Sequence, residues 1–187
     1  MNVLHFLLKI DNVLSHKTCN QLIKIFKESE HKDRLERKGY PNWTNLFLCN
    51  HYPEVDKELS NTYLEVAHKY QEWLGEYGNS YTSTDFVLEG SNIKRYVGGT
   101  DDVYKRHADV ADISTSHRFL AFIFYLNDDF KGGETIFYPE CVIRPKKGSV
   151  LVFPPYWMFP HEGTPVIRGE KYIMSNYCLW NWNATNG

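Results

Sequence analysis

The spacing of apolar positions changes along this chain, and the change divides it near residue 85. Before that point the spacing is helical. Cys19, Leu22, Ile23 and Phe26 recur on one face with polar residues between them, which predicts a helix over 18–29, and Ser15 and Thr18 are its candidate caps. A longer stripe of Val55, Leu59, Tyr63, Val66, Tyr70 and Leu74 predicts a second helix from Pro53 to Gly75. Proline suits a first helical turn and glycine a helix end. Such a stripe is the face that packs on a sheet, not a cofactor box. Between the helices, residues 31–50 run polar and then aromatic, with a turn signal at Gly39-Tyr40-Pro41-Asn42.

After residue 85 the apolar runs become short and are punctuated by Gly, Pro and Asp. Strands are predicted at 85–88, 91–97, 103–108, 118–127, 134–137, 141–144, 148–153, 158–163 and 171–180. The expected fold is therefore mainly β with N-terminal helices: a double-stranded β-helix (jelly roll) core of two sheets, flanked by helices. At 187 residues the chain makes one domain, with an N-terminal strand and supporting helices over 1–84 and a jelly-roll core over 85–182. Most of the 13 Tyr, 11 Phe and 5 Trp are then sheet and core residues. The last residues, Asn183 to Gly187, read as a frayed tail.

Composition narrows the function. A net charge of −2 gives no drive toward nucleic acid. The pair Lys146-Lys147 lies in a Pro-Lys-Lys-Gly turn and reads as a solvated hairpin tip. The apolar start, Met1 to Ile10, is too short to span a bilayer and lacks a basic n-region and a small-residue cleavage site. It is expected to be an N-terminal strand, and the protein to be cytoplasmic with no membrane partner. Cys19, Cys49, Cys141 and Cys178 show no Cys-x-x-Cys spacing and read as free thiols of a reducing compartment, with a disulfide as the alternative. The sequons at Asn42 and Asn183 carry no weight without a secretory signal.

The candidate chemistry is His107-Ala108-Asp109, followed by His161 and then Lys171. In an extended strand, residues i and i+2 share a face, so His107 and Asp109 can aim an imidazole and a carboxylate at one point. His161 would complete two nitrogens and one oxygen around a metal. That set leaves open positions, as in non-haem Fe(II) oxygenases, and it also suits a catalytic zinc. One histidine alone is more often a surface or core residue. His5, His16, His31, His51, His68 and His117 have no comparable context, although His117 is the nearest decoy. Lys171 begins the apolar run Lys171-Tyr172-Ile173-Met174. A cation entering a core there is costly unless paired, and the far carboxylate of a dicarboxylate would pair it. That favours iron over a hydrolytic zinc. The bland alternative is a strand-end lysine reaching solvent.

At these residues the chain resembles the 2-oxoglutarate- and Fe(II)-dependent dioxygenases, in particular the prolyl 4-hydroxylase branch. The likeness runs through Ile93-Lys94-Arg95-Tyr96, Tyr104-Lys105-Arg106-His107-Ala108-Asp109, Phe124-Tyr125-Leu126-Asn127-Asp128-Asp129 and Gly132-Gly133-Glu134-Thr135. It continues in Pro145-Lys146-Lys147-Gly148, His161-Glu162-Gly163-Thr164-Pro165-Val166 and Gly169-Glu170-Lys171. The N-terminal Ile10-Asp11-Asn12-Val13-Leu14-Ser15 also looks like that branch, and the likeness is weakest over 32–87.

The resemblance implies that His107, Asp109 and His161 ligate iron and that Lys171 binds the distal carboxylate of 2-oxoglutarate. It places Tyr96 and Tyr125 in the cosubstrate pocket and Tyr104 where substrate approaches. It implies Fe(II), 2-oxoglutarate and O2 as cofactors, with ascorbate as the reductant. The implied reaction couples 2-oxoglutarate decarboxylation to succinate with hydroxylation of a peptide or protein, at a proline in a flexible segment. Hydroxylation of another side chain or of a small molecule remains an alternative, as does a barrel that binds without turnover. The loop Gly98–Val103 and the aromatics Trp43, Tyr104, Tyr156 and Trp157 are candidates for the mouth. Two departures bear on the substrate: Tyr177 stands where relatives usually carry Trp, and Pro154–Pro160 differs from the commoner approach to the distal histidine.

Overall fold

The computed structural model describes residues 3–36, 42–76, 86–138 and 141–181. In chain order the elements are β1 (Leu8–Ile10), α1 (His16–Glu28), β2 (Asp33–Leu35), β3 (Trp43–Phe47), α2 (Leu48–His51), α3 (Pro53–Gly75), β4 (Phe86–Leu88), β5 (Asn92–Val97), β6 (Tyr104–His107) and β7 (Arg118–Tyr125). They continue with β8 (Lys131–Gly132), β9 (Thr135–Phe137), β10 (Cys141–Ile143), β11 (Val150–Phe153), β12 (His161–Gly163), β13 (Val166–Arg168) and β14 (Glu170–Trp180). Among the described residues, a major antiparallel sheet runs β1-β11-β7-β14-β5-β3-β2, with β4 added beside the end of β14. A minor sheet runs β10-β9-β12-β6, and β13 pairs with β8 as a ribbon.

The helices cover the outer face of the major sheet. Ser15 Oγ accepts from the Thr18 backbone N–H at 3.0 Å and caps α1, whose Cys19, Leu22 and Phe26 are buried. Leu59, Tyr63, Val66, Tyr70 and Leu74 of α3 are buried in the same core cluster as Phe122, Phe124 and Met174 of the sheet. Two tyrosines tie α3 down through their hydroxyls. Tyr63 shares a hydrogen bond with Ser91 at 2.8 Å, and Tyr70 donates to the Phe6 carbonyl at 2.9 Å. A second cluster, containing Tyr96, Tyr125, Phe137, Phe153 and Ile173, fills the space between the two sheets.

Several expectations need correction. The first ten residues are not one strand: Val3–Phe6 form a 3-10 turn, and pairing begins only at Leu8. Among its described residues, the segment 31–50 holds two strands, β2 and β3, that the sequence does not announce. In β3, Thr44 and Asn45 are buried beside Leu46, so the strand shows no polar–apolar alternation. The N-terminal part therefore supplies strands at both edges of the major sheet as well as helices. The Pro145–Gly148 turn is not a hairpin tip, because β10 and β11 lie in different sheets. Its lysines hold the N-terminal segment, Lys146 on Asp11 at 2.6 Å and Lys147 on Asn20 at 2.6 Å.

The strand expected over 158–163 shrinks to His161–Gly163, since Phe159 N–H closes a turn on the Tyr156 carbonyl at 2.9 Å. That expected over 118–127 stops at Tyr125, and the Asn127 side chain takes over, donating to Glu170 O and accepting from Tyr172 N–H. The strands β8 and β13 were not anticipated. Gly39–Pro41 of the predicted turn, Asn183 and the tail lie outside the described residues. The side chain of Asn42 is buried and donates to Asp101 Oδ2 at 2.6 Å, so that sequon is not placed to carry a glycan. The four cysteines are free thiols. No helix among the described residues is long and apolar enough to cross a membrane.

Gly148 fastens the N-terminal segment to the sheet. Its carbonyl accepts from Val13 and Leu14 N–H at 2.8 and 3.0 Å, and its own N–H donates to Tyr125 O at 2.9 Å. It sits at φ +79°, and a Cβ there would collide with the Leu14 carbonyl oxygen. Gly148→Ala is expected to lower stability by at least about 1–3 kcal/mol. The check is a urea titration, in which the midpoint should fall.

Candidate metal and dicarboxylate site

The minor sheet brings the two imidazoles together. In the antiparallel pairing of β12 with β6, His161 lies directly opposite His107. The rings stand 4.3 Å apart, centroid to centroid. Each Nδ1 faces a main-chain carbonyl, that of His107 reaching Lys105 O at 2.8 Å and that of His161 reaching Phe159 O at 3.1 Å. A carbonyl can only accept, so both Nδ1 atoms carry the proton. This geometry assigns the tautomer that leaves Nε2 to ligate.

Asp109 is not on a continuous strand with His107, because β6 ends at His107. Its carboxylate nevertheless reaches the pair, with Oδ1 3.2 Å from His107 Nε2 and Oδ2 3.8 Å from His161 Nε2. The three ligand atoms lie within 4.8 Å of one another. Burial by itself would raise the Asp109 pKa. The imidazoles of His161 and His107 and the ammonium of Lys94 outweigh it and hold the carboxyl well below its ordinary range. Burial lowers His161 below the ordinary histidine value against the opposing pull of Asp109. An ionised carboxylate and neutral imidazoles are what a divalent cation needs. Two nitrogens and one oxygen on one side, with the other side open to a cavity, fit non-haem Fe(II).

The major sheet forms the opposite wall. Along β14, Lys171, Ile173, Ser175 and Tyr177 face the cavity, while Tyr172, Met174 and Cys178 belong to the core under the helices. Lys171 does not reach solvent at a strand end: it is 4 % exposed. Its Nζ donates to Gly133 O at 2.7 Å and lies 5.7 and 5.8 Å from the Tyr96 and Tyr125 ring centroids. An ammonium has three donors, so two remain for a carboxylate. Burial lowers the Lys171 pKa to about 8, against a smaller upward pull from Glu134. Tyr125 Oη and Thr135 Oγ1 share a hydrogen bond of 2.8 Å. Tyr96 and Thr135 line the cavity with Lys171.

Of the lining residues given no role from sequence, Tyr177 and Lys94 carry the most chemistry. Tyr177, noticed only as a departure, donates from its hydroxyl to Asp109 Oδ1 at 3.0 Å. Arg118 stacks on the Tyr177 ring at 4.0 Å, pairs with Glu89, and donates from Nη1 to the Asp109 carbonyl at 3.3 Å. Lys94 also lines the cavity. Alternation was the available signal for both. Tyr177 has the parity of Lys171, and Lys94 that of Tyr96.

The expected mouth residues divide. Tyr104 lines the cavity, with its ring 3.9 Å from that of His107. Trp43 packs on Tyr104 and Tyr96 at 4.7 and 6.5 Å. Tyr156 packs against the helix-side core, and Trp157 is 78 % exposed, away from the cavity lining. The Gly98–Val103 loop is pinned, because the buried Asp102 accepts from Val97 N–H at 2.9 Å and pairs with Arg34 at 2.6 Å.

Comparison with known proteins gives concordant matches. Residues 91–179 match the model of the 2OG-Fe(II) oxygenase superfamily. A probable prolyl 4-hydroxylase 9 of Arabidopsis thaliana is 31% identical over 119 residues, which is 48% of this chain and 40% of that protein. The matched segment thus spans well under half the length of that relative. A viral collagen prolyl hydroxylase of Paramecium Bursaria Chlorella virus-1, solved as a 2OG complex, superposes with a TM-score of 0.69 at 23% identity, covering 94% of this chain and 96% of that one. A Trichoplax adhaerens prolyl hydroxylase, solved with a hypoxia inducible factor oxygen degradation domain peptide, gives a TM-score of 0.76 at 18% identity over 98% of this chain and 88% of that one. The structural likenesses establish the fold.

Two outcomes are expected of the site itself. Tyr177→Phe removes the donor that orients the Asp109 carboxylate, and divalent-metal affinity should fall roughly 10–100-fold, measured by titration with Co(II) or Fe(II) without oxygen. Dicarboxylate binding should require charged Lys171. Affinity is then flat below pH 8, since the lysine is already protonated there, and falls as pH rises through about 8. Calorimetry should find 2-oxoglutarate bound about tenfold more weakly at pH 9 than at pH 7, and Lys171→Met should remove that slope.

Proposed function

We propose that this chain, which matches the 2OG-Fe(II) oxygenase superfamily over residues 91–179 and is similar to a prolyl 4-hydroxylase, is an Fe(II)- and 2-oxoglutarate-dependent dioxygenase that hydroxylates a peptide or protein, most simply at proline. One observation carries the reading. A His-Asp-His cluster and a buried lysine with two uncommitted donors face each other across one cavity. His107, Asp109 and His161 would hold the iron, and Lys171 the far carboxylate of 2-oxoglutarate. Iron and oxygen would supply the oxidation, with 2-oxoglutarate consumed to succinate and carbon dioxide and ascorbate keeping the iron reduced. The protein's own tasks are geometry, anchoring and exclusion of water.

Tyr96, Tyr125 and Thr135 give the cosubstrate chain a wall that is apolar apart from its hydroxyls. Tyr104 stands beside His107 on the side open to substrate. Asp109 is the only carboxylate among the described lining residues. Metalloproteases such as the HExxH zinc enzymes place a further carboxylate beside the metal as general base, and its absence among the described lining residues favours the oxygenase reading. The peptide substrate is supported by the two relatives described by collagen and by a bound peptide.

Incubation with Fe(II), 2-oxoglutarate, ascorbate and a library of proline-containing peptides should yield succinate and peptides heavier by one oxygen atom. Asp109→Ala and His161→Ala should abolish both products. Near-normal succinate from either variant would remove these residues as ligands. Lys171→Ala should raise the 2-oxoglutarate KM roughly 10–100-fold, the range expected when a hydrogen bond to a charged group is lost.

A further inference from the structure

We propose that Lys94 is a specificity residue that pairs with a carboxylate of the substrate, close to the carbon that is hydroxylated. The inference rests on the oxygenase reading and adds the chemical class of substrate to it. It begins from register. On β5, Lys94 and Tyr96 share the cavity face, opposite Ile173 and Lys171 of β14. Lys94 is thus one rung, roughly 7 Å, from the level of Lys171, toward Tyr177 and the Asp109 carboxylate that Tyr177 holds. The two lysines are at different depths of one cavity and cannot serve one carboxylate.

Lys94 has no anion of its own. Among the described residues its ammonium has aromatic neighbours, the rings of Trp43 and Tyr104 at 5.7 and 5.4 Å, and no carboxylate within ion-pair distance. Glu89, the next acid in its field, is taken by Arg118. Asp109 attracts Lys94 from beyond contact and is committed to the imidazoles and Tyr177. Burial lowers the Lys94 pKa, a sign of a cation short of compensation. The indole N–H of Trp43, in the ring beneath the ammonium, is itself buried with no acceptor.

Loading the site does not relieve this. A dication and Lys171 would be matched by Asp109 and the two carboxylates of 2-oxoglutarate. Lys94 remains as the uncompensated positive charge, on the wall where Tyr104 meets His107. A group arriving there with the substrate would be desolvated, and a carboxylate would form a charge-assisted hydrogen bond with the ammonium. The carboxylate can be an acidic side chain flanking the target residue of a peptide or the α-carboxylate of a free amino acid.

The experiment measures binding and turnover separately. Fluorescent proline peptides flanked by Asp or Glu, by Asn or Gln, or by Lys are titrated by anisotropy against full-length protein loaded with Mn(II) and 2-oxoglutarate without oxygen. Proline and prolinamide compete in parallel to distinguish the free amino acid from a peptide. Expected is a preference of about tenfold or more for the carboxylate over its amide, in one series or the other. Lys94→Arg should keep it, Lys94→Met reduce it to about twofold or less, and Lys94→Glu turn it toward the Lys-flanked peptide.

No carboxylate preference in the native protein, no binding in either series, or a preference that survives Lys94→Met would overturn the assignment. Fe(II) turnover of the same compounds reports on the underlying reading. A Lys94-dependent preference without succinate would overturn the oxygenase and leave the carboxylate site standing. Succinate without the preference would do the reverse.

Discussion

The site depends on one antiparallel pairing. Only when β12 lies against β6 in the observed register do His161 and His107 stand opposite each other. A slip of one residue would turn one imidazole to the other face of the minor sheet. Neighbouring pairings resist that slip. His161 also faces Phe137 of β9, and its ring packs against those of Phe137 and Phe153 at 5.0 and 4.9 Å. The second histidine is therefore held as a core residue as well as a prospective ligand.

The third ligand is held differently. Asp109 lies past the end of its strand, where backbone pairing no longer positions it. The opposite sheet does so instead, through Tyr177 on the carboxylate and Arg118 on the main-chain carbonyl. The two sheets thus meet at Asp109. The cluster is neither a loop feature nor a single-sheet feature but a clasp between layers. The imidazoles of His161 and His107 and the ammonium of Lys94 keep the Asp109 carboxyl ionised, and the Tyr177 phenol orients it.

The helices contribute indirectly. By covering the outer face of β14 they allow its inner face to carry Lys171, Ser175 and Tyr177 without loss of the core. Burying Lys171 costs stability, and its hydrogen bond to Gly133 offsets only part of that cost. A second cation faces the same cavity from β5, where the half-buried Lys94 has aromatic neighbours in place of an anion. A cavity with two such cations at separate depths is arranged for anions that come from outside the chain.

The long helices α1 and α3 were legible because each buries one face, and the period of that face survives in the sequence, whereas the short α2 was not. His107, Asp109, His161 and Lys171 were legible as residue types in order. β3 was not, because Thr44 and Asn45 are buried polar residues and erase the alternation that marks a strand. The roles of Tyr177 and Lys94 were hidden for a related reason. A tyrosine or lysine in a strand is ordinary until the strand opposite is known. Local sequence determined periodicity, caps and the inventory of donors, since these depend on neighbours in the chain. Only the tertiary structure decided which sheet each strand joined, that Asp109 is gripped from across the barrel, and that Lys94 faces the cavity without a counter-ion. Those facts depend on side chains distant in sequence and set together by the pairing of β14 with both β5 and β7.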